Sequence, residues 1–422
     1  MPKWFSSIKN IENNTIAFVS EFNNTNIQKV YKFTLYLIFN FQKLILFLSF
    51  FFYFFKKKLF NKKKNEISWV LGVAETAAIL KYLSLSIPNC YSVCFKKNLF
   101  YDFNYDYSLE NKCRYLLYIK IIFLGPILLG RLIHESKGFF YISSNRFLIH
   151  HIDEGLFEYQ FLKKRKKKII SFFLGADIRS PSLSIHMAKE RGDEVTSNYL
   201  FLTNPNLLNF DHEITIKKRV LVAEKFSDQI YTSRIDQISY FKRKTLPIVR
   251  SFPDQYFVMN LEKFKGLKIP KIFHAPSSPI LKGTQLVRAA ITRLKKENYK
   301  FEYKEAKFSK NSLILEELKS THIVLDEFYA CTVGVFSVEA MANCCALMNS
   351  ADEFIETDLP KGSNNAWIVT KNYEIYDKLK FLLDNVHVQA EYAEKGYNWA
   401  LQHESQSAAS KKFETLLKLT NI

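Results

Sequence analysis

Short apolar runs of about four to seven residues alternate along most of this chain with stretches whose apolar positions recur at helical spacing. In the first half, runs at 67–73, 91–95, 139–143, 169–174, 199–202 and 229–232 predict strands. The stretches 74–85, 112–134, 182–191, 214–226 and 234–241 predict helices. Continuously apolar strands separated by helices specify a parallel sheet covered on both faces. After an irregular, proline-bounded stretch at 247–270 the pattern restarts. Strands are expected at 271–274, 299–303, 322–325, 346–348 and 367–369, with helices at 283–297, 310–319, 335–343, 374–383 and 389–402. A last helix is expected at 407–419. Two such sheets in tandem place a ligand cleft between them, at the carboxyl ends of the strands. The fold class is therefore α/β, with two Rossmann-like domains facing a cleft and an N-terminal hydrophobic helical extension. Expected boundaries are 1–64 for the extension, 65–265 and 266–405 for the domains, and 406–422 for the closing helix. A length of 422 residues suits two domains of ordinary size.

The extension begins polar and Asn-rich, and residues 33–55 are then almost wholly apolar. As a helix they measure about 35 Å, against a bilayer core of roughly 30 Å. Ser49 falls opposite Asn40, so the polar residues do not gather on one face. Three readings follow: a spanning anchor, a helix lying on the membrane, or a helix packed on the protein itself. The lysines after the segment would hold the following chain on the cytoplasmic side. The segment is too long for a signal peptide and lacks a small-residue cleavage site.

The net charge of +19 changes the picture less than its size suggests. Twelve positive charges sit in three clusters, Lys56–Lys58, Lys62–Lys64 and the run 163–168. Such clusters suit solvated loops or anionic lipid better than a base-reading groove, and no basic motif is interleaved with aromatics. No nucleic-acid partner is expected. The bias toward Phe, Lys, Asn, Ile and Tyr is also what an AT-rich genome imposes. Six cysteines without a nearby histidine make no zinc set, so reduced thiols in a cytosolic body are expected. No G-x-G-x-x-G follows a strand, which disfavours an oxidoreductase.

The densest candidate chemistry lies at 274–349. Lys282 and Gly283 open a helix after the first strand of the second half; Gly334 leads to a helix carrying Glu339. A lysine and the amides of a helix start suit a diphosphate, while a carboxylate on a facing helix suits sugar hydroxyls. Together they describe a nucleotide-sugar site. Each residue also has a plain reading: a loop lysine, a helix-surface carboxylate, a turn glycine.

At these residues the chain resembles the group 1 glycosyltransferases, retaining enzymes of the two-Rossmann (GT-B) type found in bacterial surface-polysaccharide synthesis. Lys282–Gly283, Gly334 and Glu339-Ala340-Met341-Ala342 carry the likeness, with a weaker echo at Gly175-Ala176-Asp177-Ile178-Arg179. The resemblance implies an acceptor domain followed by a donor domain. It implies a UDP- or GDP-linked sugar as donor, a glycan or lipid-linked acceptor, and no cofactor or metal. It implies a place on the cytoplasmic side of the inner membrane, peripheral or anchored by residues 33–55. Lys282, Glu339 and Asp177 become catalytic candidates, and Gly283, Gly334, Val335 and Asp326 join Lys282 and Glu339 at the donor. Glu75 and Arg179 become acceptor-side candidates, although Asp177 and Glu75 also suit turn or helix caps and Arg179 also suits a carboxylate partner. The chain departs from the pattern at Cys331, where the first of two glutamates usually stands, and at Leu174, where a histidine is common. His274-Ala275 replaces a Gly-Arg pair, and Cys344 and Ala346 replace a Gly and a Pro. Asp326 and Glu327 are the carboxylates placed to approach the donor sugar instead. The alternative is a nucleotide-sugar-binding or scaffolding homologue with impaired catalysis.

Overall fold

A computed structural model of the chain describes residues 25–60, 67–109, 113–149, 151–208, 210–307 and 309–418. The Asn-rich start up to residue 24, the lysines at 62–64 and residues 419–422 lie outside the described residues. The first sheet contains β1 (Ile67–Ala74), β2 (Cys90–Lys96), β3 (Tyr107–Ser108), β4 (Ser136–Ile142), β5 (Lys168–Phe172) and β6 (Gln229–Tyr231). Its order is β3-β2-β1-β4-β5-β6, and every pair is parallel. The central strand β1 is apolar but for Ser68 near its start, because both of its faces are covered; six of its eight residues are buried.

The second sheet contains β7 (Lys271–His274), β8 (Glu302–Glu305), β9 (Ile323–Leu325), β10 (Ala346–Asn349) and β11 (Ile368–Val369), in the order β11-β10-β9-β7-β8. It too is parallel throughout. Around the first sheet run α1 (Thr25–Phe60), α2 (Ile79–Ser86), α3 (Arg114–Glu135), α4 (Leu156–Lys163), α5 (Pro181–Arg191) and α6 (Phe210–Phe226). Around the second run α7 (Thr284–Lys296), α8 (Asn311–Ser320), α9 (Val335–Ala342), α10 (Ile375–Asp384) and α11 (Val386–His403). The final helix, α12 (Gln406–Lys418), returns to the first sheet, where Ala409, Phe413 and Leu417 bury with Trp69, Leu71 and Phe140.

The strand expected at 299–303 lies at Glu302–Glu305, because the Tyr299 amide still closes the preceding helix on the Leu294 carbonyl (3.1 Å), and two further expected elements are replaced by other structure. Residues 199–202 belong to a 3₁₀ turn, Thr196–Leu202, whose start is held by the Asn198 side chain on the Val195 amide (2.8 Å). Phe201 and Leu202 stay exposed, so the short apolar run is not a buried strand. Residues 234–241 form turns instead of a helix, because the Ile235 and Asp236 amides donate to Glu356 of the second half (both 2.9 Å). The helix expected from residue 74 starts at Ile79, after Ala77 and Ala78 adopt left-handed backbone (φ 49° and 65°). Helix α4 and the two-residue strand β3 had no sequence expectation.

The apolar segment proves to be one helix, α1, lying along α3 in parallel. Gln42 donates to the Ile122 carbonyl (3.2 Å) and accepts from the Ile149 amide (2.9 Å); Ser49 donates to the Ile127 carbonyl (2.9 Å). These bonds explain polar residues within an otherwise apolar helix: they satisfy contacts with the body of the protein. Gly130 permits the approach, since a Cβ there would lie 2.5 Å from Ser49 Oγ. Gly130→Val is expected to push the helices apart and cost about 1–3 kcal/mol, read as a lower Tm and faster proteolysis within α1. The basic run at 163–168 is partly neutralised by Asp228, which pairs with Lys163 (2.7 Å), while Arg165 stays charged and stacks over Phe161 (3.3 Å).

Candidate functional site

The carboxyl ends of both sheets open onto one cleft of about 530 Å³. Its second-domain wall includes Ser277, Ser278, Lys282, Asn311, Glu327, Gly334, Val335 and Glu339. Its first-domain wall includes Thr76, Asn98, Tyr101, Leu174, Gly175 and Arg179, and Arg250 joins from the linker. The two halves are tied at the rim. The Cys331 amide donates to Asp236 (2.9 Å), the Thr196 amide to the Tyr329 carbonyl (3.0 Å), and Lys371 pairs with Asp193 (3.1 Å).

Strand β7 ends at His274, fully buried between the Leu325 carbonyl (2.7 Å) and Thr284 Oγ1 (2.9 Å). The chain then turns through prolines 276 and 279 to Lys282 and to Gly283, whose φ of 72° requires a left-handed residue and explains the glycine. The Lys282 ammonium lies 2.5 Å from Asp326 Oδ1 and 3.0 Å from Glu327 Oε1. Burial works against this charge, but the two carboxylates outweigh it, so its pKa stands above the ordinary lysine value. Burial raises the Glu327 carboxyl, which Lys282 only partly offsets.

Asp326 and Glu327 have separate places. Asp326 is fully buried behind the lysine and also accepts from Ser337 Oγ (2.5 Å), which in turn accepts from Asn349 (2.9 Å). It positions Lys282, while Glu327 faces the cleft. Gly334 has φ −92°, which any residue adopts, and a Cβ there would meet Glu327 at 3.5 Å. Its lack of a side chain keeps the space beside Glu327 clear.

Glu339 sits in the middle of α9, buried, with Oε1 accepting from Asn311 (2.8 Å). Burial pushes its carboxyl up to about 8, and the bond from Asn311 only partly counters this. In the unfolded chain the same group ionises near 4.5. Between those values the folded protein holds the extra proton, so its stability falls as pH rises through that window. Glu339→Gln is accordingly expected to leave Tm unchanged near pH 4 and raise it by about 3 °C or more at pH 9.

The first-domain candidates divide. Arg179 reaches the cleft but is paired to Asp236 (2.6 Å). Asp177 accepts from the Leu174 and Gly175 amides (3.0 and 2.7 Å) and so caps its own turn. Glu75 caps α2, taking the Leu80 and Lys81 amides (3.1 and 3.0 Å) and the Tyr105 hydroxyl (2.8 Å). The Cys331 side chain packs with Ala188 and Val195 beside the rim instead of lining the cleft, and burial pushes its thiol up to about 12. Sequence patterns did not signal Asn311, which holds Glu339, or Arg250, which is held by Thr332 Oγ1 (3.2 Å) and lies near Glu404 (3.8 Å). Arg250 comes from the irregular linker, where no motif marks it.

No family model and no curated protein sequence matches the chain. Solved structures do. A sucrose-phosphate synthase from Thermosynechococcus elongatus superposes with a TM-score of 0.54 at 8% identity, over 84% of this chain and 99% of that one. HepE from Anabaena, solved in complex with UDP-glucose, superposes with a TM-score of 0.50 at 12% identity, over 83% and 99%. The fold is thus the GT-B arrangement of two Rossmann-like domains facing a cleft.

Proposed function

We propose that this chain is a group 1 glycosyltransferase that moves a sugar from a UDP- or GDP-linked donor to a glycan or lipid-linked acceptor in bacterial surface-polysaccharide synthesis. The observation that carries the reading is that Lys282 and Glu339 line one wall of one interdomain cleft. The structural neighbour solved with UDP-glucose supports the same donor class. Lys282 receives the diphosphate, Glu339 the ribose hydroxyls, and Glu327 the donor sugar hydroxyls. Arg250 supplies the second cation that the His274-Ala275 replacement removes.

In transfer, the bond from the anomeric carbon to the β-phosphate oxygen breaks and the acceptor oxygen bonds to that carbon. The acceptor proton passes to the departing phosphate, which needs no protein nucleophile and no metal and retains configuration. The protein's part is to neutralise charge growing on the leaving diphosphate. Because Glu327 also faces Lys282, its ionisation opposes an incoming diphosphate, so donor affinity is expected to fall as pH rises through the Glu327 titration. Nucleotide release measured with a panel of nucleotide sugars and lipid or glycan acceptors tests the reading. Donor-dependent release together with a transferred sugar supports it.

The alternative is a nucleotide-sugar-binding homologue that does not transfer. Asp177 favours it, since its side chain is already engaged by two backbone amides. A UDP- or GDP-sugar that raises Tm without any transfer to acceptors would select this second reading. In this reading the protein works at the cytoplasmic face of the inner membrane, where lipid-linked acceptors are met.

A further inference from the structure

One large feature plays no part in the cleft. Helix α1 is apolar on all sides, yet only one stripe of it is covered. Phe39, Gln42, Leu46 and Ser49 are buried against the body, while a second stripe through Phe33, Leu37, Leu44, Leu48, Phe52 and Phe55 is exposed. Helix α3 continues this surface with Tyr115, Ile119, Phe123 and Ile127, and Phe41 meets Phe123 edge to face (5.5 Å) across the seam. An apolar face of this length on a soluble body marks a partner.

We infer that α1 and α3 together form a platform that lies side-on in the lipid surface, so that neither helix crosses the bilayer. The inference rests on the membrane location proposed above and adds the mode of contact. Topology carries it first. Helix α3 links β3 to β4 within one sheet and passes into β4 without an intervening residue. Its inner face, Leu128, Leu129, Leu132 and Ile133, is buried in the core with Val70 and Phe139. A spanning α3 would drag the sheet's polar loops into hydrocarbon. Helix α1 is bound along α3 from Gln42, at Ile122, to Lys57, which donates to the His134 carbonyl (2.8 Å). It therefore shares the orientation of α3.

Charge identifies the occupant. Residues 25–60 hold six lysines and no carboxylate, with Lys29 and Lys32 at one end and Lys56–Lys58 at the other. Glu135 is the sole carboxylate of α3, at its last position. Such an apolar stripe bounded by cations suits acyl chains beneath anionic headgroups. A second copy of the same face would set lysine against lysine, with Glu135, already paired to Arg131 (3.5 Å), the one carboxylate on the two helices. Helix α3 starts at the cleft end of the sheet, so the platform runs back from the rim at which a lipid-borne acceptor would arrive.

Flotation of the full chain with vesicles tests the platform. Binding is expected with phosphatidylglycerol-containing vesicles, weaker with pure phosphatidylcholine and weaker at high salt. Leu48→Glu combined with Phe52→Glu is expected to lower the bound fraction roughly tenfold with Tm unchanged. Undiminished flotation of that variant overturns the platform, as does a dimer in light scattering that the variant abolishes without any vesicle binding by the parent. Sidedness is read in inverted membrane vesicles from expressing cells, using an N-terminal tag. Protease is expected to reach the tag and the catalytic body from the same side; a tag protected on the opposite side means α1 spans. Loss of sugar transfer with flotation intact would count against the enzymatic reading alone.

Discussion

Lys282→Ala is expected to reduce sugar transfer by about 10²–10³-fold, the usual cost of removing one charge-stabilising donor from a leaving group. The effect is expected mainly in kcat, because the diphosphate gains its extra charge as the glycosidic bond breaks. The variant also leaves two carboxylates facing each other where the ammonium had joined them. Glu327, already raised by burial, then takes up a proton, which limits the loss of stability. Single-turnover transfer and thermal unfolding measured side by side separate the two consequences. A fall in transfer with Tm nearly unchanged places Lys282 at the leaving group; unchanged transfer removes it from the mechanism.

Asp326→Leu is expected to produce the largest loss of stability in the second domain, about 3–5 kcal/mol. Asp326 is fully buried and holds both Lys282 and Ser337, so its removal strands a cation and a hydroxyl at once. Glu327 retains part of the lysine's compensation, which places the result toward the lower end of that range. Urea unfolding followed at two probes measures it. A change under about 1 kcal/mol would mean that Lys282 is not anchored from behind. Asp326→Asn keeps the contact with Ser337 and is expected to cost less, while still misplacing the lysine and lowering transfer.

The legible parts of the sequence were those with local causes. Strand β7 lies where expected because the short segment Lys271–His274, with Ile272 and Phe273 at its centre, is bracketed by Pro270 and by Ala275-Pro276. Lys282–Gly283 was readable from its place between a strand and a helix, and the structure adds that Gly283 is left-handed (φ 72°). Glu339 stood out from its Glu-Ala-Met-Ala context. The illegible parts had distant causes. Residues 234–241 fail to form a helix because Glu356, more than a hundred positions later, captures their amides. Arg250 belongs to the cleft only through Thr332 and Glu404. Glu75 and Asp177 could be catalysts or caps by residue type alone, and only their amide partners separate the two. The long apolar segment gave no sign that Gln42 and Ser49 answer carbonyls of another helix.

The central claim is that the cleft bearing Lys282 and Glu339 binds a nucleotide sugar through its diphosphate and ribose. Calorimetric titration of UDP- and GDP-sugars into the full chain, its Lys282→Ala variant and its Glu339→Gln variant measures this directly. The account predicts one-to-one binding of one nucleotide class to the parent, weakened about tenfold or more in each variant. Equal affinity across all three proteins, or no binding of either class, would contradict it.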